Sequence, residues 1–336
     1  MADAGLRHVA ALAGVSIKTV SNVINDYPHV TAETRAKVEE AIRQLDYRPN
    51  MYARTLRGGR SGVIALAIPA IDWPYFAEIG RSVIRAAGRR GWTVFIDETD
   101  GDLQREIAAV KGLGPHLLDG LIFSPLSLGP AELAGQKVAR PVVMLGERSV
   151  NGSADHVAID NIAAAKAATN HLIAIGRRRI AAIGDQPNVA TNTARLRVAG
   201  YRAALAEAGM PAVPALLREP ATFTREDGAK TMADLLALPE PPDAVFCFND
   251  LLAVGAMRAI HDRGLCVPDD IAVIGFDDIA EGRFHIPSLS TIAPDKEYIG
   301  EAAVALLERR LGAASAVQAE EVEVGFDLVA RESTAS

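Results

Sequence analysis

Hydrophobic positions follow two different rhythms along the chain. In the first sixty residues the spacing is helical throughout. Leu6–Ala13 places apolar residues at 6, 9, 10, 12 and 13, one stripe of a short helix. Gly14-Val15 then makes a tight turn, and Ser16 is a good N-cap for a second helix, Ile17–Asn25. Asp26-Tyr27-Pro28 breaks that helix. Thr31 caps a third, with Glu33 in its first turn and Val38, Ala41, Ile42 and Leu45 as the buried stripe. Pro49 stops the chain and Asn50 can cap again, which makes Met51–Arg57 a seven-residue helical segment ending at Gly58-Gly59. The run Gly58-Gly59-Arg60-Ser61-Gly62 reads as a linker.

Beyond the linker, short aliphatic runs alternate with helical ones. Strands are predicted near Val63–Ile68, Thr93–Ile96, Gly120–Phe123, Val142–Leu145, Ile180–Ile183, Ala244–Phe248 and Ile271–Phe276. Helices are predicted between them at Tyr75–Arg90, Ile162–Ile175, Thr193–Ala208, Leu251–Arg263 and Tyr298–Arg310. Continuously apolar strands in such alternation mean parallel sheets covered on both faces. Two successive sets imply a pair of doubly wound lobes, an α/β core behind a small all-α unit.

Composition narrows the class. With 336 residues, 49% hydrophobic and 23% charged, the chain is globular and too long for one ordinary core. No apolar run reaches the roughly 18 residues that a membrane span needs. Met1–Arg7 shows no secretory pattern, and Cys247 and Cys266 give neither a disulfide framework nor a metal spacing. A reducing, cytoplasmic setting is expected. Charge is uneven: residues 1–60 hold nine Lys/Arg against six Asp/Glu, so the body carries −10 of a chain whose net charge is −7. A basic head on an acidic body suits a head that meets a polyanion.

Catalysis finds little support. G-x-S-x-G, H-E-x-x-H, P-loop and G-x-G-x-x-G patterns are missing, and the seven histidines never pair at i, i+4. Asp277-Asp278 side chains on an extended segment would point apart, a poor catalytic dyad. No catalytic residue, metal or cofactor is expected.

A helix, a Gly-containing turn and a second helix entered through polar residues form a helix-turn-helix pattern. Its residues are specific. Val9-Ala10-Ala11-Leu12-Ala13-Gly14-Val15-Ser16, Thr19-Val20-Ser21, Val30-Thr31-Ala32-Glu33-Thr34-Arg35 and Leu45-Asp46-Tyr47-Arg48-Pro49-Asn50 resemble the LacI family headpiece in order and spacing, without a gap from Leu6 to Leu56. The resemblance implies that Ile17, Lys18 and Asn22 face base edges. Asn pairs bidentately with adenine, Lys donates to guanine and Ile packs on a thymine methyl. Many family members carry arginine where this chain has Asn22, which implies a different half-site. Ser16, Thr19, Ser21 and His29 suit phosphate contacts, which position without specifying. Solvated helix residues and an inert loop histidine are the plain alternatives.

The segment around Asn50, Tyr52, Ala53 and Leu56 is too short to stay helical alone in water. In the family this hinge orders on the operator, and a leucine matching Leu56 wedges into the minor groove. Packing of Leu56 beneath the linker is the competing view.

The body resembles, more loosely, periplasmic sugar-binding proteins and the LacI core, through Asp119-Gly120-Leu121-Ile122, Arg197-Val198-Ala199-Gly200-Tyr201, Phe248-Asn249-Asp250, Val267-Pro268-Asp269-Asp270-Ile271, Gly275-Phe276-Asp277-Asp278 and Ser290-Thr291-Ile292. It implies two lobes closing on a small ligand. The expected layout is a headpiece over 1–49, hinge and linker over 50–61, and a core over 62–330. Lobe one takes about 62–160 and 291–320, and lobe two about 161–290 and 321–330, with crossings near Asp160, Ser290 and Glu321.

Strand geometry points independently to the cleft, because open parallel sheets bind ligands beyond their carboxyl ends. Asp72, Tyr75 and Phe76 follow the first strand, Asn249 and Asp277 follow later ones, and Thr193 and Arg197 open a helix. With Phe223 or Trp73 as an apolar lid, these groups suit a polyhydroxylated ligand such as a sugar. Arg197, Asn249 and Asp277 match family ligand contacts. Tyr75-Phe76-Ala77-Glu78-Ile79 is similar to purine-sensing members, so a nucleobase stays open. Asp278 could be a surface charge, Trp73 ordinary packing and Thr193 a helix cap. The resemblance thus implies a homodimeric repressor of a palindromic operator under ligand control, without membrane contact. A transport-type sugar-binding protein is the rival that shares the body.

Asn22→Ala is expected to cost about 1–3 kcal/mol at the cognate operator and almost nothing on random duplex. Equal losses on both, by fluorescence anisotropy, would remove Asn22 as a base reader.

Overall fold

The computed structural model describes residues 5–24, 27–47, 60–112, 117–129, 140–146, 154–187, 193–313 and 318–335. The chain forms two units, Met1–Ser61 and Gly62–Ser336.

In the first unit, α1 (Leu6–Ala13), α2 (Ile17–Ile24) and α3 (Ala32–Gln44) follow the helical stripes. Gly14 sits in the left-handed region at φ 66°, and its N–H returns to the carbonyls of Ala10 and Ala11. That closes α1 without the Cβ clash another residue would bring. Thr31 caps α3 by accepting the N–H of Thr34 at 3.3 Å. Val9, Ala10, Val20, Val23, Val38, Ala41 and Tyr47 form the core, with Ile42 and Leu45 only partly buried against it. The stripe predicted for α3 is therefore correct in direction and wider than its fully buried part. Asn50, Tyr52, Ala53, Leu56 and the glycine pair of the predicted hinge and linker lie outside the described residues.

The second unit holds two six-stranded sheets. The first comprises β1 (Val63–Ile68), β2 (Thr93–Glu98), β3 (Gly120–Phe123), β4 (Val142–Leu145), β5 (Asp155–Ile159) and β11 (Glu321–Val324), in the order β11-β5-β4-β3-β1-β2. All its pairings are parallel. The second comprises β6 (Ile180–Ile183), β7 (Leu217–Arg218), β8 (Ala244–Cys247), β9 (Ala272–Phe276), β10 (Ser290–Pro294) and β12 (Phe326–Val329), in the order β12-β10-β9-β8-β6-β7. Its pairings are parallel except β12, which runs antiparallel to β10.

Helices α4 (Pro74–Arg89), α5 (Leu103–Lys111) and α10 (Lys296–Gly312) cover the first sheet. Helices α6 (Asn161–Ala174), α7 (Thr193–Glu207), α8 (Arg225–Leu236) and α9 (Asp250–Asp262) cover the second. Alternation along the strands decides which residue meets which layer. Ile180, Ala182, Phe246 and Ile274 join the cluster under α6 and α7, whereas Ala181, Ile183, Val245 and Val273 join the one under α8 and α9. Among the described residues, no helix is long and apolar enough to cross a membrane.

The chain passes from the first lobe to the second at Asp160. It returns at Asp295 and crosses again at Gly325, later than the predicted Ser290 and Glu321. Ser290–Pro294 therefore belong to lobe two, because β10 is parallel to β9, and residues 321–324 belong to lobe one, because β11 pairs with β5. Each added strand is half polar and sits beside a stronger neighbour, so neither stands out as an apolar run. Asp160 and Asp295 cap α6 and α10, and the Asp295 N–H donates to the Gly325 carbonyl at 3.2 Å, tying two crossings together.

Helices α5 and α8 and strands β5, β7, β10, β11 and β12 are not among the elements the sequence predicts. The buried face of α8 is Gly228, Thr231, Met232 and Leu235, too polar and too small to read as a stripe. Size is the point there. A Cβ on Gly255 of α9 would fall 1.9 Å from the Arg225 carbonyl, and one on Gly228 would fall 2.3 Å from the Leu252 carbonyl, so the two backbones pack directly on each other.

Candidate functional site

On α2, Val20 and Val23 are buried while Ile17 and Lys18 are exposed and Ser21 and Asn22 half-buried. Ile17, at the head of the helix, is 38% exposed and so presents part of an apolar side chain to solvent. The Ser16 hydroxyl accepts the Thr19 N–H at 3.0 Å and shares a hydrogen bond with the Thr19 hydroxyl at 2.8 Å. This closes the first turn, where no acidic residue opposes an approaching phosphate. His29 is exposed in the following turn, edge-on to Tyr27 with ring centroids 5.5 Å apart. The structure thus brings Ser16, Ile17, Lys18, Thr19, Ser21 and Asn22 onto one short helix and its cap, with His29 in a neighbouring turn.

In the second unit all three crossings leave the carboxyl ends of strands β5, β10 and β11, so the strand ends of the two sheets face each other. Arg197 on α7 is buried there. Its Nε donates to Asn161 Oδ1 at 2.7 Å, its Nη1 donates to the Phe248 carbonyl, and its guanidinium carbon stands 3.5 Å from the centroid of the Phe276 ring. A cation held flat on an aromatic face loses little by leaving water, and its orientation is fixed. Asn249 is buried and already engaged: its Oδ1 accepts the Leu252 N–H at 2.8 Å and its Nδ2 donates to the Phe223 carbonyl at 3.1 Å. It caps α9 and fixes the loop that carries Phe223, whose ring is half-buried against the core.

Asp277 and Asp278 follow β9 in left-handed backbone, at φ 111° and 48°. For residues other than glycine this costs of the order of 1–3 kcal/mol each. Asp278 is not a surface charge. It is buried and bonded to Arg331 at 2.5 Å and Arg283 at 2.6 Å. Burial pushes its carboxyl up, but the two guanidinium partners outweigh this and hold it below its ordinary value. Asp250, at the start of α9, is more deeply buried and has no cation partner among the described residues. Its carboxylate accepts the Thr291 hydroxyl at 2.7 Å and the Ile279 N–H at 2.8 Å. Gly275 leaves it room, since a Cβ there would fall 2.1 Å from Oδ1. Burial, with the neighbouring charge of Asp277, pushes this carboxyl well above the usual range.

From the first lobe, Trp73 stacks on Phe76 with centroids 5.9 Å apart, and Tyr75 meets Phe76 edge-on at 5.3 Å. Phe76 is buried in the core, while Trp73 and Tyr75 are half-buried against it. Asp72 is exposed in the turn ahead of α4, and Thr193 is half-buried at the first position of α7. Three participants escaped sequence reasoning: Asn161, Glu78 and Lys296. Only Glu78 had a signal, inside the Tyr75–Ile79 stretch.

Residues 5–50 match the model for bacterial regulatory proteins of the lacI family, and residues 169–334 match a periplasmic binding protein-like domain. The HTH-type transcriptional repressor PurR of Mannheimia succiniciproducens is 34% identical over 332 residues, 98% of each chain. The chain belongs to the lacI family. The ribose operon repressor of Escherichia coli K12 is 36% identical over 92% of this chain and 93% of its own. The lac repressor dimer bound to operator and the anti-inducer ONPF is similar in structure, with a TM-score of 0.86 and 28% identity over 99% of each chain. As a lacI-family member the protein is a DNA-binding transcriptional regulator, with a helical headpiece and a periplasmic-binding-protein-like core of two α/β lobes.

Because folding raises the pKa of Asp250, its contribution to stability is complete below the unfolded value near ~3.9 and is lost as pH climbs through the folded one. Asp250→Asn should therefore cost most near pH 4, about 1–3 kcal/mol for a donor left facing the amide nitrogen, and progressively less toward pH 8. Urea unfolding of both proteins across that range measures it; a pH-independent difference would contradict the assignment.

Proposed function

We propose that the protein is a cytoplasmic homodimeric repressor whose grip on a palindromic operator is set by a sugar-like ligand between the lobes. It is read as a regulator without catalytic activity. The observation that carries the ligand reading is Arg197, buried, pinned by Asn161 and laid on Phe276. Such a fixed fork pairs ligand hydroxyls, Asp277 accepts from them, and Phe223 or the Trp73–Phe76 pair covers a C–H face. Asn249 acts through the Phe223 loop it holds. Regulators of similar structure have been solved with cellobiose, for CelR, and with ONPG, for the lac repressor.

Operator reading is assigned to Ile17, Lys18 and Asn22, with Ser16, Thr19, Ser21 and His29 on phosphates. Asn50, Tyr52, Ala53 and Leu56 complete the interface as the hinge.

Dimerisation fits a face of the second lobe. Phe284 is 84% exposed and Ile286 97% exposed, beside a groove of about 570 Å³ lined by α8 and α9 residues including Ala229, Val254 and Met257. None of the predicted cleft residues lines it. An apolar edge beside a groove lined by both apolar and charged residues suits a second copy of the chain, where each side supplies both. Ile286→Glu should convert the dimer to monomer in sedimentation velocity and lower operator affinity with it. A dimer of unchanged strength would displace the interface from this face.

Selection of palindromic duplexes by the full chain tests the regulator, and thermal shift against sugars and nucleobases tests the effector. A bound sugar at a hundredfold its Kd adds about 2.7 kcal/mol. Arg197→Ala should abolish that shift and the operator response while keeping ligand-free operator affinity. Stabilisation by nucleobases alone would overturn the sugar reading, and failure to enrich any palindrome would overturn the repressor.

A further inference from the structure

Lys296, the first residue of α10, reaches from the first lobe across to the second. Its Nζ donates to the carbonyls of Asp277 at 2.5 Å and Asp278 at 2.8 Å, and pairs with a carboxylate oxygen of Glu78 on α4. The other Glu78 oxygen accepts the Ala280 N–H at 3.1 Å, again from the second lobe. One half-buried ion pair on lobe one thus holds three backbone groups of residues 277–280. These include both left-handed aspartates, whose conformation aims the Asp277 carboxylate. Remove the ammonium, and two carbonyls in a partly buried turn lose their donor.

We propose that Lys296, held by Glu78, is a positioning residue that fixes the aim of Asp277 and latches the two lobes together on this side of the cleft. Its role in operator control rests on the repressor reading above; the latch itself does not. A plain anchor for the start of α10 would need only the Asp295 cap, which is already made to Tyr298. The reach to the opposite lobe is additional to anything that helix requires. Because the contact spans the lobes, any change in their separation must stretch it, so the latch biases which separation is populated before a ligand arrives.

The test compares the full-length wild type with Lys296→Met, Lys296→Arg, Glu78→Gln and the Lys296→Met/Glu78→Gln double variant. Backbone amide exchange and ligand-free affinity for the selected operator are both read. Lys296→Met is expected to speed exchange at Asp278 and Ala280 and to shift operator affinity about fivefold or more, a usual size for coupling between sites. Glu78→Gln should do the same, the double variant should go no further than either single change, and Lys296→Arg should restore most of both readouts. Unchanged exchange at 277–280 in Lys296→Met would overturn the latch. Faster exchange with operator affinity within about twofold of wild type would reduce Lys296 to a structural tie without control. If the wild type enriches no palindrome, the repressor reading fails, and the exchange measurements still decide whether the latch exists.

Discussion

Three crossings at the carboxyl ends of β5, β10 and β11 hold the two sheets tip to tip, and nearly every feature of the cleft follows from that arrangement. Parallel strands leave their loops at one end, so a crossing at that end turns two loop sets toward each other. The hydrogen bond from Asp295 to the Gly325 carbonyl keeps two of these crossings side by side. Both Asp160 and Asp295 cap the helices they enter, so the crossing residues also fix helix direction. Arg197, Asn249 and Asp277 lie far apart in sequence and meet only because β6, β8 and β9 are neighbours in one sheet.

Three carboxylates in this region face a shared problem and reach it with different partners. Burial penalises ionisation of Asp250 and of Asp278. Asp278 has two guanidinium groups and stays ionised. Asp250 has a hydroxyl and one backbone N–H, which do not repay the loss of water, and its pKa rises. Asp277 sits between them on strained backbone whose carbonyl is held by Lys296. Neutralising Asp250 lowers the repulsion that a third ionised group would add. The strained pair is tolerable because both its carbonyls and the Asp278 carboxylate are committed. Such strain is found where surrounding structure over-determines a conformation, and here that structure comes from both lobes.

Much of the fold was legible because its strongest signals are periodic. The apolar strands β1, β3, β4, β6, β8 and β9 and helices α4, α6, α7, α9 and α10 declare themselves by uninterrupted aliphatic runs or broad stripes. The edge strands β11 and β12 do not, since they are half exposed and carry charges, and β10 opens on two polar residues. Missing β10 and β11 is why the lobe boundaries fell a few residues early. In the cleft, residues at strand ends could be named from the resemblance and from topology together. Lys296, Glu78 and Asn161 could not, because their partners lie on other elements: 161 with 197, and 78 and 296 with 277–280. Sequence spacing carries local pairs well, and these are tertiary.

The headpiece shows the opposite balance, with little tertiary structure and much local chemistry. Its core is a handful of aliphatic side chains and Tyr47, so the face that α2 turns outward is free to carry residues with no packing duty. Ile17 illustrates the consequence. The exposed part of its side chain gains nothing from water, whereas against a thymine methyl it would gain apolar burial. Asn22 is short and planar, so it can discriminate adenine only if α2 lies close to the groove floor. Val20 and Val23 seat the helix against α1 and α3 and would set that depth. On the proposed reading, base preference on this helix would be limited by how firmly its buried valines fix it, so that side chains on the two faces act as one device.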